Sequence, residues 1–231
     1  MRIIAIDTAT AAACAAIAAD KDGKAGLLGH FTLTVGLTHS QRFLPMTEAL
    51  LAACDLRLQD MDAICVTVGP GSFTGLRIGL ATAKAWAQAL VLPVIAVKTT
   101  EALAWANSWQ GLTCPVLDAR KGEVYCALYR QAEEIWPTQA IPPADLAARL
   151  AELGEPVRLC GDGAELYLPK IAECLGDQVT TAPPTSCFAA AQSAALYGLE
   201  VLHKGGQTVS AEELEPFYLR ASGAEVKKNE G

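Results

Sequence analysis

Apolar positions along the chain follow two periods, and the alternation between them predicts the elements. "RIIAID" is a short unbroken apolar run and reads as a buried strand. "AACAAIAA" and "AGLLGHFTLTV" flank "DKDGK", whose Asp-Gly chemistry marks a hairpin, so three strands open the chain as a meander. "THSQRFLPMTEALLAAC" changes to helical spacing. Phe43, Leu44, Thr47, Leu50 and Leu51 are expected on one side, Thr38 or Ser40 can cap the start, and Pro45 is a first-turn residue or a kink. "MDAICVTV" is a fourth strand that runs into the loop "GPGSFTG" and a helix to about Ala89. "LPVIAV" is a fifth strand and "TTEALAWANSW" a third helix.

The second half repeats the theme in shorter form. "CPVLDARKGEVYCALY" reads as two strands about a tight turn, and "PPADLAARLAEL" as a helix entered through proline. "PVRLCGDGAELYLPKIAECL" reads as strand, glycine turn and helix. A long helix in "TSCFAAAQSAALYGLEVLHKG" ends at Gly205 and Gly206. The tail "EELEPFYLRASGAEVKKNEG" is expected to start ordered and finish loose. The order βββαβαβα with a shorter echo predicts two α/β lobes of mixed sheets, residues 1–105 and 106–231, the last helix packing back on the first lobe. No internal repeat with residue identity is visible.

Composition narrows the function. Of 231 residues, 52% are hydrophobic and 19% charged, so the chain has ample material for cores. Its net charge of −7 disfavours direct binding to a phosphate backbone. Asp7 and two threonines interrupt any signal-peptide core, and the longest apolar run, "AWAQALVLPVIAV", is too short for a bilayer and holds Gln88 and Pro93. Cys14, Cys54, Cys65, Cys114, Cys126, Cys160, Cys174 and Cys187 form no C-x-x-C pair and sit mostly in apolar runs. A soluble protein of a reducing compartment, the cytoplasm, is expected.

The glycine loop is the first candidate for chemistry. A Walker A loop ends in Gly-Lys-Ser/Thr, whereas Leu76 and Arg77 follow Gly75 here; the glycines at 69, 71 and 75 are one residue too wide for a dinucleotide fingerprint. Gly75, Gly79, Ala83 and Ala87 recur every four residues, a stripe that lets a backbone approach closely. That backbone is the chain's own sheet or a second chain, and the loop could also hold an anion. His30, His39 and His203 are far apart, no metal-binding pair exists, and Ser72 lacks a nucleophile-elbow context. Asp7 ends a buried strand, where it serves either a cation or phosphate site or a plain Asx turn. Asp118 and Gly161–Asp162–Gly163 end strands of the second lobe, so the three loops together look like a thinned nucleotide site.

"MRIIAIDTAT", "HSQRFLP", "VGPGSFTGLRIGLATAKAWA", "DARKGEVYCALY" and "EPFYLR" together resemble the TsaB (YeaZ) family of tRNA threonylcarbamoyladenosine biosynthesis. The resemblance thins between about 130 and 180. It implies the actin-like ATPase fold of sugar kinases, Hsp70 and actin, with an abbreviated second lobe. It also implies a non-catalytic role beside a catalytic paralogue, TsaD. Where that paralogue has V-N-H-x-E-G-H, this chain reads "VKTTEAL", with Thr99 and Leu103 in place of the metal-binding histidines. No cofactor and no metal are then expected. Asp7, Asp118, Gly161 and Gly163 become candidate remnants of a nucleotide site. The implied partner interface comprises His39, Phe43, Leu44, Thr47, Leu50, Gly75, Leu76, Arg77, Gly79, Ala83 and Ala87. TsaD would dock there, with the ATPase TsaE joining, or a second copy of the chain when TsaD is absent. tRNA would be reached only through the complex. The alternative is a weak nucleotide-binding or ATPase protein acting as a regulatory homodimer.

Overall fold

The computed structural model describes residues 1–21, 23–34, 39–131, 133–188 and 190–219, with backbone alone for Lys21, His39 and Ser40. The meander forms as β1 (Arg2–Asp7), β2 (Ala13–Lys21) and β3 (Lys24–Leu33), each pair antiparallel, with Ile4 opposite Ile17. At the hairpin Gly23 adopts φ +76° and donates its N–H to Asp20 Oδ1 at 3.0 Å, while Asp22 of that turn lies outside the described residues. Strands β4 (Ala63–Gly69) and β5 (Val94–Lys98) add in parallel, giving the order β3-β2-β1-β4-β5.

Strand β1 is covered on both faces, which is why it reads as unbroken apolar sequence. Ile3 and Ala5 face a layer made by α3 (Thr99–Ala106) and α7 (Ala190–His203). Ile4 and Ile6 face α1 (His39–Ala53) and α2 (Phe73–Leu90). On α1 the buried side chains are Phe43, Met46, Thr47, Leu50 and Leu51; Leu44 is 46% exposed. The expected grouping therefore exchanges Leu44 for Met46, because Leu44 sits about 100° around the helix from Phe43. Pro45 stands in the second turn rather than the first. The proposed cap at Thr38, and the Ser40 side chain, lie outside the described residues.

The second sheet holds β6 (Leu112–Asp118), β7 (Val124–Arg130), β8 (Glu133–Ile141), β9 (Val157–Cys160) and β10 (Val179–Thr181), with α4 (Pro143–Ala151), α5 (Ala164–Leu175) and α6 (Pro184–Cys187). Its order, β10-β9-β6-β7-β8, is the order of the first sheet repeated strand for strand, with the same antiparallel and parallel pairings. That duplication without residue identity is the actin-like ATPase fold. The second lobe is abbreviated in element length, not in strand number: α4 and α5 have 9 and 12 residues against 15 and 18 in α1 and α2. Two strands were not legible in sequence. β8 carries Pro137, which an edge strand tolerates, and β10 is three residues long.

Helix α7 leaves the second lobe and lies across the first sheet. Ala190, Ala191, Ala194 and Ala195 are fully buried there, and a Cβ on Gly198 would stand 3.2 Å from Ile3 Cδ1. The chain then returns along the first lobe. Val209 exchanges backbone hydrogen bonds of 2.8 and 2.9 Å with Val94, Leu214 is 1% exposed, and Phe217 N donates to Val68 O at 2.7 Å. The stretch 220–231, expected to be loose, lies outside the described residues.

Gly75→Ala replaces a helix-weakening residue, worth about 1 kcal/mol in its favour, but drives a methyl into the Thr8 carbonyl oxygen, a backbone atom that cannot step aside. Overpacking costs about 1–3 kcal/mol, so a net loss of stability is expected. It would be read as a lower urea midpoint at unchanged slope, with Ala85→Ser on the exposed side of α2 as the near-neutral control.

Candidate functional site

The glycine loop is a clamp on the chain's own β1. Beyond the cis Gly69–Pro70 bond, Gly71 lies so close to Ala9 that a Cβ would overlap its carbonyl, and Ser72 N donates to Ala9 O at 2.7 Å. Ser72 then caps α2, its Oγ accepting from Gly75 N at 3.2 Å. Thr8 Oγ1 donates to Gly75 O at 2.7 Å, and a Cβ on Gly79 would stand 2.5 Å from that same Thr8 Oγ1. Ala83 and Ala87 continue the stripe at 0% and 2% exposure.

Most of the positions expected at the interface are turned inward. Gly75, Leu76, Gly79, Ala83 and Ala87 face the chain's own sheet, and so do Phe43, Thr47 and Leu50. A helix packed on a sheet turns its small-residue stripe inward when a strand-end backbone needs the room, and Thr8 takes that room here. Of the eleven expected positions Leu44 and Arg77 are exposed, and the side chain of His39 lies outside the described residues. The outward side of α2 carries a second stripe at the same spacing, Arg77, Ala81, Ala85 and Ala89, all exposed. Beside it, α1 exposes Leu44, Pro45, Glu48, Ala49 and Ala52. The Arg77 guanidinium lies 4.0 Å from the Phe73 ring centroid, and Phe73 packs on Tyr218 of the returning tail at 5.2 Å. A periodicity search that kept both registers of four would have found this second stripe.

The strand-end loops do meet. Asp7, 1% exposed, accepts from Ala9 N at 3.1 Å, the Asx turn, and from the Thr67 hydroxyl. Asp118 accepts from Arg120 N at 2.9 Å and from Tyr167 OH at 3.1 Å. The carboxylate that spans the two lobes is that of Asp162: Oδ2 accepts from Ala11 N at 3.3 Å and Oδ1 from Asp118 N at 3.2 Å. Gly161, at φ +94°, and Gly163 press on β6, where added Cβ atoms would lie 2.6 and 3.0 Å from Val116 O. Gly163 N already donates to Val116 O at 2.9 Å, so its N–H is engaged within the lobe. An acidic side chain thus stands between the loops where an anionic ligand would need donors.

Thr99 and Leu103, which the resemblance sets against the paralogue's histidines, are both fully buried at the start and middle of α3. Among the described residues no group of three or more His, Cys, Asp or Glu side chains could hold a metal ion. None of the described helices is long and apolar enough to cross a membrane.

Burial pushes the Asp162 carboxyl above its ordinary range, and the neighbouring charge of Asp118 adds to this against the two backbone N–H groups. Asp162 therefore binds its proton more tightly in the folded chain. Relative to Asp162→Asn, the wild type should gain stability as pH falls from the raised value to the ordinary one, and level off below it. Urea midpoints of both chains across that range check this; a pH-independent difference would contradict it.

Comparison with known proteins agrees with the geometry. A family model described as "TsaD: tRNA N6-adenosine threonylcarbamoyltransferase" matches residues 34–228. A Bacillus subtilis relative, "tRNA threonylcarbamoyladenosine biosynthesis protein TsaB", is 34% identical over 98% of this chain and 97% of its own. The Escherichia coli protein with that same description is 34% identical over 95% of each. Among solved structures, YeaZ from Pseudomonas aeruginosa superposes with a TM-score of 0.69 at 27% identity, covering 94% of this chain and 99% of its own. The chain belongs to the TsaB (YeaZ) family, within the wider group that the TsaD family model describes.

Proposed function

We propose that this chain serves tRNA threonylcarbamoyladenosine biosynthesis as a non-catalytic subunit, one that docks the catalytic paralogue TsaD through the outward face of α1 and α2. The observation that carries the reading is the second stripe of α2. Arg77, Ala81, Ala85 and Ala89 present a ridge of small side chains to solvent, with one fixed cation at its N-terminal end. Beside Leu44 and Pro45 of α1, such a ridge lets the helices of a related lobe approach closely. The inward residues Phe43, Thr47, Leu50, Gly75, Leu76, Gly79, Ala83 and Ala87 support that face from beneath. Arg77, stacked on Phe73, is the polar anchor.

Three features favour a supporting role over chemistry. Thr99 and Leu103, both buried on α3, offer no imidazole. Asp162 stands between the strand-end loops. The net charge of −7 leaves tRNA to be held by other subunits. The reaction so supported is transfer of a threonylcarbamoyl group to the adenosine beside the anticodon in tRNAs that read ANN codons, with TsaE as the accompanying ATPase; the relatives' description names threonylcarbamoyladenosine biosynthesis itself. In the absence of TsaD the same face takes a second copy, because a C2 dimer needs a self-complementary patch. All eight cysteines are free, which suits the cytoplasm.

The test is a reconstitution with unmodified tRNA, threonine, bicarbonate, ATP, the donor synthase, TsaD and TsaE, with and without this chain. Modified adenosine is then quantified. Ala81→Arg and Ala85→Arg place bulk and charge on the ridge without touching the core. Each should lower modification by about tenfold or more, the loss of one good interface contact. Asp118→Ala should leave it within about twofold. Full activity with the ridge variants, or without the chain altogether, would remove the docking role. Loss of activity with Asp118→Ala alone would favour the nucleotide-binding homodimer.

A further inference from the structure

On the other face of the first sheet, α3 and α7 lie side by side and enclose a cavity of about 260 Å³ with the end of β7. Its wall is built from helical stripes that face each other: Glu101 and Trp105 at i and i+4 on α3, and Tyr197, Glu200 and Lys204 at i, i+3 and i+7 on α7. Tyr129 of β7 closes the inner end and is 3% exposed. Most of the lining is apolar. The cavity joins elements of both lobes, since α3 and α7 cover the first sheet and β7 belongs to the second.

The polar groups are not scattered. Tyr197 and Glu101 line the same wall, and Tyr129 OH donates to Glu134 Oε1 at 3.3 Å. Lys98 pairs with Glu134, at 3.4 Å, and its charge also acts on Glu101. At the mouth, Lys204 holds its ammonium on Glu200, an exposed i, i+4 pair of the kind that contributes little and is readily exchanged. Glu101 and Glu200 are the acidic groups of the cavity wall. Three aromatic rings and two carboxylates about one apolar space attract a cation through both ring faces and charge.

We propose that this cavity binds a small organic ammonium ion, its hydrocarbon part against Trp105, Tyr129 and Tyr197 and its charge met by Glu101 and, on displacement of Lys204, by Glu200. Burial raises the Glu101 carboxyl above its ordinary range, so a bound cation relieves the cost of keeping that carboxylate ionised. An alcohol of the same shape gains only the apolar contacts, and a carboxylate is repelled. The site is independent of the docking face, which lies on the opposite side of the sheet.

Calorimetric titration of the full chain with 2-phenylethylammonium, 2-phenylethanol and phenylacetate tests this. The ammonium should bind at least about tenfold more tightly than the alcohol, and phenylacetate should not saturate. Glu101→Gln should remove that preference while leaving the alcohol's affinity unchanged. Trp105→Leu should weaken the ammonium by about tenfold with an intact thermal transition, so that either variant alone keeps the test decisive. Ala81→Arg should bind the ammonium as the wild type does. Equal affinities for ammonium and alcohol, no ammonium binding at millimolar concentration, or an unchanged preference in Glu101→Gln would overturn the proposal.

Discussion

Helix α2 rests on the first sheet through contacts that leave no room for a side chain. Gly71 meets Ala9, Gly75 meets the Thr8 carbonyl, and Gly79 meets the Thr8 hydroxyl. Hydrogen bonds from Ser72 N to Ala9 O and from Thr8 Oγ1 to Gly75 O fix the same register. Much else follows from this seam. It sets which side of α2 is buried and brings α2 beside α1 on the same sheet face. It also holds the segment after β1 where Ala11 can donate to Asp162 of the other lobe. The returning tail locks the loop from outside, with Phe217 N on Val68 O and Tyr218 against Phe73.

The duplicated strand order gives the molecule two strand-end clusters that meet at one cleft, the geometry that in this fold is available for a ligand. Here the cleft is crossed by the Asp162 carboxylate, which takes one backbone N–H from each lobe. A carboxylate, which would repel an anionic ligand, serves there as a strut between lobes. The first sheet's two faces are thereby free to serve separate ends. The α1 and α2 layer turns the small side chains of Ala81, Ala85 and Ala89 to solvent, while the α3 and α7 layer encloses an aromatic cavity.

Much of the fold was legible. Asp-Gly in the first hairpin, the βββαβαβα order and the proline-entered α4 each follow from local chemistry that tertiary packing did not override. β8 was not legible because Pro137 and its polar neighbours deny it a strand pattern, and an edge position on the sheet forgives both. The repeat was hidden for a related reason: strand order is a property of pairing, and the two lobes share pairings without sharing residues.

By itself, the sequence determined most of the elements and the family. It determined that α2 has small residues every four positions, but in two registers, 75-79-83-87 and 81-85-89, the second preceded by Arg77. Only the tertiary structure decided between them, because the choice depends on where the backbone of Thr8 lies, some 67 residues before Gly75 in the chain. It likewise decided that Asp162 spans the cleft. A carboxylate's partners across 151 residues are fixed by how two lobes close, and no local spacing records that.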